Sequence, residues 1–130
     1  MQSSNLTLIG SSATVINIIG IENMDSSVRV VQAVGILDGK HTTQLRAEID
    51  EVLNAGVKHI LLDLKEVTFM DSSGLGGLVV ALKDVRSAGG KLYICSINEQ
   101  IRILFELTSM DQVFSIFANQ DEFNRATLPT

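Results

Sequence analysis

A chain of 130 residues, 45% apolar and 19% charged, is long enough for one domain with a single core and too apolar for a disordered segment. Ten Lys and Arg against fifteen Asp and Glu give a net charge of −5 with no basic cluster, which argues against direct nucleic-acid binding. The single cysteine excludes a disulfide within the chain.

Residues 1–13 are polar and Ser-rich and read as a loose N-terminal lead, with a single domain over 14–127. No Lys or Arg precedes Arg29, so no positively charged leader is expected, and the apolar run at 15–21 is too short to span a bilayer. With the lone Cys95, this predicts a cytoplasmic protein without a membrane span. Residues 15–21 and 28–34 have the β-branched content of strands, expected to pair as an N-terminal antiparallel hairpin. Met24-Asp25-Ser26-Ser27 between them reads as a turn.

Asp38-Gly39 marks a turn, Leu45, Ile49, Val52 and Leu53 fall at helical spacing, and Gly56 suits the end of that helix. Ile60-Leu61-Leu62-Asp63-Leu64 follows as a buried strand. Then comes Val67-Thr68-Phe69-Met70-Asp71-Ser72-Ser73-Gly74-Leu75-Gly76-Gly77-Leu78, a strand-to-loop passage that becomes a helix. That helix carries Leu75, Leu78, Val79, Leu82 and Val85 on one face and ends at Gly89-Gly90. Residues 91–95 form a strand with Cys95 packed in the core, and Asn98 caps a helix that turns Ile101, Leu104 and Phe105 inward. Residues 113–117 read as the last strand, and Asn119 with Glu122 opens a short helix using Phe123 and Ala126. The alternation predicts an α/β fold: a mixed, mostly parallel sheet of about five strands with helices packed on it.

The chemistry concentrates where the helix after Met70 begins. Its first backbone N–H groups lack intrahelical partners and its dipole makes that end electropositive, so an anion is well accommodated. In the plainest reading, a serine N-caps the helix and the glycines let it pack closely. Two serines, an aspartate and three glycines are more than a cap needs, and bare glycine backbone lets a partner approach. Either Ser72 or Ser73 could lie near the anion site. The glycines do not make a nucleotide loop: Gly74 and Gly76 lack the third glycine at Val79, and Gly90-Lys91 lacks the other Walker positions. No G-x-S-x-G elbow surrounds Ser73, so a small hydrolase using Ser73, with His41 or His59 as its base, stands only as the outside alternative. Two histidines and one cysteine do not make a metal site, and no cofactor is expected.

Met70-Asp71-Ser72-Ser73-Gly74-Leu75-Gly76 resembles the phosphorylation motif of the STAS domain family, specifically of bacterial anti-sigma factor antagonists. Val34-Gly35-Ile36-Leu37-Asp38 is similar to the family's Gly-x-Leu/Ile-Asp turn. Residues 60–64 resemble its central strand, and Gly89-Gly90-Lys91-Leu92 its helix-to-strand turn. Leu104-Phe105-Glu106-Leu107-Thr108-Ser109-Met110 resembles its Leu-Phe-x-Leu/Met-x-Gly segment, with Ser109 in the glycine position. The likeness spans roughly residues 28–125. It implies a STAS-type sheet and a non-enzymatic, phosphorylation-switched binding module. Unphosphorylated, such a module binds an anti-sigma factor that is also a serine kinase and so frees a sigma factor. The resemblance assigns the phosphate to Ser73, places Asp38, Asp71, Ser72, Gly74, Leu75 and Gly76 at partner or kinase contacts, and implies a serine phosphatase that resets the switch. A STAS subunit of a transporter or signalling scaffold is the alternative within the fold.

Overall fold

The computed structural model describes residues 4–8, 15–20 and 28–127. Its elements are β1 (Ser4–Leu8), β2 (Val15–Gly20), β3 (Val28–Leu37), α1 (Gly39–Asn54), β4 (His59–Met70), α2 (Ser72–Ser87), β5 (Lys91–Cys95), α3 (Glu99–Leu107), β6 (Ser115–Phe117) and α4 (Gln120–Thr127). All six strands form one sheet in chain order. β1 with β2 and β2 with β3 run antiparallel, whereas β3, β4, β5 and β6 are mutually parallel. The expected five strands become six because Ser4–Leu8, inside the stretch read as a loose lead, adds an edge strand. The connection at 21–27, with Met24-Asp25-Ser26-Ser27, lies outside the described residues.

Side chains alternate across the sheet, so one strand feeds two cores. Ile60, Leu62 and Leu64 of β4 join Val31, Ala33, Leu37, Leu92 and Ile94 beneath α1, α2 and α3. Leu61 points the other way, to Val28, Val30, Cys95 and Phe123 of α4. Each helix buries a stripe at helical spacing: Leu45, Ile49 and Val52 from α1, and Leu75, Leu78, Leu82 and Val85 from α2. α1 and α2 lie against each other, and a Cβ added at Gly77 would fall 2.1 Å from Thr42 Oγ1. That contact sets how close the two helix starts come.

Residues 113–117 shorten to a three-residue strand, because a 3-10 turn at Met110–Gln112 takes up the preceding chain. Ser109 has φ of 62°, the left-handed region that favours glycine, which accounts for the glycine expected there by resemblance. Among the described residues no helix is long and apolar enough to cross a membrane.

Cys95 is fully buried, and burial pushes its thiol up to about 11. A thiol held above its ordinary value of 9.0 adds stability that is complete below that pH and lost as pH rises through about 11. At neutral pH the native protein should react with a disulfide reagent only as fast as it unfolds. Stopped-flow labelling with and without denaturant checks this; rapid labelling of the native state would refute it.

Candidate functional site

Strands β3 and β4 end in register, Leu37 opposite Met70. Each passes into its helix through one residue, Asp38 before α1 and Asp71 before α2. The loop expected between the 60–64 strand and the helix is therefore absent: β4 runs on to Met70 and the chain goes from strand to helix at Asp71. Two helix N-termini consequently lie side by side at the carboxyl end of the parallel sheet, where ligands and partners of such folds bind.

Both aspartates serve as N-caps. Asp71 Oδ1 accepts from Gly74 N at 2.8 Å, and Asp38 Oδ1 from His41 N at 3.0 Å. This corrects the expectation that a serine caps α2. An aspartate caps as well as a serine, and the length of β4 decides which residue stands at the junction. Asp71 N donates to Leu37 O at 3.3 Å, which ties the second helix start to the end of the neighbouring strand. Of the amides that α2 cannot satisfy internally, those of Asp71 and Gly74 are thus engaged. The amides of Ser72 and Ser73 are what the helix start offers an anion.

Ser72 and Ser73 are both exposed on the first turn. A Cβ on Gly39 would stand 3.4 Å from Ser73 Cβ, so Ser73 sits directly against the start of α1. The structure thus gathers Asp38, Asp71, Ser72 and Ser73 between two helix starts. Gly74 and Leu75 are buried; they seat the helix and offer a partner no side-chain surface. Gly76 is exposed, and a Cβ there would have nothing within 4 Å, which is open ground beside Ser73.

His41, only 8% exposed, places Nδ1 2.7 Å from Asp38 Oδ1. The backbone hydrogen bond from His41 holds the Asp38 carboxyl below the ordinary carboxylate range; partial desolvation opposes it, and the imidazole adds to the lowering. The sequence alone leaves His41 as a surface or structural residue or, less plausibly, a base, and does not disclose this pairing, although Asp-x-x-His at a helix start is a spacing at which the two side chains can meet. His59 opens β4 while Ser73 lies just beyond its twelfth and last residue, a separation of roughly 35 Å along the strand. His59 instead meets Tyr93 Oη at 3.3 Å. Among the described residues no side-chain hydrogen bond joins either serine to a histidine, and no group of acidic, histidine or cysteine side chains is placed to hold a metal.

The STAS domain family model matches residues 20–123. The chain is 31% identical over 94 residues to the anti-sigma F factor antagonist of Paenibacillus polymyxa, covering 72% of this chain and 80% of that one. Its structure is similar to that of an anti-sigma factor antagonist from Mycobacterium paratuberculosis, with a TM-score of 0.71 at 23% identity over 95% of this chain and all of the other. It is also similar to the Bacillus cell fate determinant SpoIIAA in its phosphorylated form, with a TM-score of 0.58 at 18% identity over 95% and 99% of the two chains. At those identities the two structural likenesses concern fold alone.

Proposed function

The chain belongs to the STAS domain family, and from that premise we propose that it is an anti-sigma factor antagonist switched by phosphorylation of Ser73. The observation that carries this reading is the pairing of two helix starts around one exposed serine. Leu37 and Met70 end in register, and Ser73 lies against Gly39. A hydroxyl there is small, hydrogen-bonding and accessible, and suits a docking surface.

A phosphate on the same oxygen adds close to two negative charges and three acceptor oxygens. The adjoining helix starts tolerate that charge, so the fold survives it. A partner shaped for the bare hydroxyl meets a bulky dianion flanked by the Asp38 and Asp71 carboxylates, and binding is lost. In this reading the partner is an anti-sigma factor that also acts as the serine kinase, using ATP, and a serine phosphatase restores the hydroxyl. The protein is a substrate and a binding module and performs no catalysis. Asp38, Asp71, Ser72, Ser73 and Gly76 form the contact surface, while Gly74 and Leu75 hold it in place. The Paenibacillus relative, an anti-sigma factor antagonist, supports the function, and the exposed Ser73 hydroxyl at the start of α2 supports the modification.

Incubation with ATP and an extract of the native host, followed by phosphopeptide mass spectrometry, tests the assignment. Wild type and Ser72→Ala should each gain one phosphate, and Ser73→Ala none. A phosphate that disappears only in Ser72→Ala would move the switch to the neighbouring residue. No phosphate on any of the three, in an extract with active serine kinases, would favour a scaffold or transport subunit.

A further inference from the structure

β4 pairs with β5 only over His59–Asp63, although it runs on to Met70 beside β3. Residues 64–70 therefore project beyond β5, and their backbone polar groups on that side need other partners. Two side chains at the start of α3 supply them. Asn98 Nδ2 donates to Val67 O and Thr68 O, each at 3.2 Å. Gln100 Oε1 accepts from Met70 N at 3.0 Å, and Gln100 Nε2 donates to Met70 O at 2.8 Å. The Gln100 amide thus pairs with both polar groups of Met70, as the backbone of a neighbouring strand would. Chemistry fixes both amide orientations, because a backbone N–H can only donate and a carbonyl can only accept.

Asn98 does double duty: its Oδ1 accepts from Ile101 N at 2.9 Å and caps α3. One side chain therefore fixes the start of α3 and the tip of β4 relative to each other. Met70 adjoins Asp71, the single connecting residue before Ser72 and Ser73, so no loop absorbs a displacement of the Met70 peptide. An error of about 1 Å at a reacting group can slow transfer on the order of a hundredfold.

We infer that Asn98 and Gln100 are positioning residues for the Ser73 site, holding the β4 tip so that Ser73 is presented in the geometry a kinase requires. The inference rests on the phosphorylation reading above and adds the device that sets the site. It predicts that α3, distant in sequence, governs modification without touching the serine.

Isosteric variants separate this role from simple support. Asn98→Asp keeps the cap oxygen but turns a carboxylate oxygen toward the Val67 and Thr68 carbonyls. Gln100→Glu keeps the acceptor for Met70 N and loses the donor to Met70 O. Gln112→Glu, exposed on the 3-10 turn, makes the same charge change and serves as control. Two readouts are needed: the initial rate of phosphate incorporation at Ser73 with ATP and host extract, and amide hydrogen exchange by residue. Each clamp variant should lose about tenfold in rate and about tenfold in protection at Met70 and Gly74. Protection at Ile60 and Leu62 should hold, and the control should match wild type. Faster exchange at Met70 with an unchanged phosphorylation rate would overturn the inference, leaving a purely structural clamp and an intact switch. Unchanged exchange would overturn it as well. An unmodified wild type would instead remove the switch itself and, with it, anything to position.

Discussion

Gly74→Ala is expected to lower folding stability by about 3 kcal/mol, although it adds one methyl group and replaces a poor helix former with the best. The reason is local. An added Cβ would lie 2.1 Å from Leu37 O and 2.8 Å from Leu37 C, with Met70 Cγ at 3.2 Å. Leu37 O is the carbonyl that accepts from Asp71 N, and a backbone atom cannot rotate aside. Relief requires α2 to move off the end of β3, breaking that hydrogen bond and loosening the packing of Leu75 and Leu78. Overpacking of this kind typically costs about 1–3 kcal/mol, and a clash with backbone belongs at the top of that range. Gly76→Ala, two residues on, should do the reverse. Its Cβ would meet nothing within 4 Å, so the helix should gain up to about 1 kcal/mol. Urea denaturation with equal slopes for all three proteins gives the comparison. A Gly74→Ala midpoint equal to that of wild type would show that the helix start yields, and the account of a rigid junction would fail.

The contrast between these glycines marks the limit of what the sequence discloses. Gly74, Gly76 and Gly77 look alike in a helix that ought to avoid them. Only the fold distinguishes a glycine pressed on a neighbouring carbonyl, one facing open space and one admitting Thr42. The α/β alternation was legible because it is written in periodicity: Leu45, Ile49 and Val52 recur at helical spacing, and 60–64 is an uninterrupted apolar run but for Asp63. Asp63 itself is buried, and its carboxylate accepts from Lys65 N and Gln120 Nε2. The true end of β4 was hidden by Lys65 and Glu66, exposed charges on a strand that has passed the end of β5. Misjudging that end put a loop where none exists and passed the cap to a serine. Strand β1 escaped notice because Ser4–Leu8 is short and half polar, with too few positions for a period to register. Asn98 was legible as a cap because capping is local. Its bonds to Val67 and Thr68, and those of Gln100 to Met70, cross about thirty positions of sequence, where no local pattern reaches.

Ser73→Asp should weaken binding of the anti-sigma factor by a hundredfold or more, equivalent to about 2.8 kcal/mol, while leaving the fold as stable as wild type. The two halves of that expectation have separate causes. Ser73 is exposed at the second residue of α2, where a carboxylate lies in the favourable field of the helix start; such charges contribute about 0.3–1 kcal/mol. The Asp38 and Asp71 carboxylates offset part of that gain, so the unfolding midpoint should hardly move. A bound partner feels the other side of the same charge. It must bury a third carboxylate beside Asp38 and Asp71 on a surface shaped for a hydroxyl, and burying a charge that the partner does not pair costs several kcal/mol. Ser73→Ala separates charge from the loss of the hydroxyl. On the proposed switch it should bind within a few-fold of wild type and stay bound when ATP is added, because the proposed phosphate acceptor is gone. Titration calorimetry with the anti-sigma factor purified from the native host, with and without ATP, reads both variants. Equal affinity for Ser73→Asp and wild type would mean that the partner docks elsewhere, and the paired helix starts would lose their role as the switch. Equal weakening in Ser73→Ala and Ser73→Asp would keep the surface but assign its energy to the serine hydroxyl, leaving charge with no part in release.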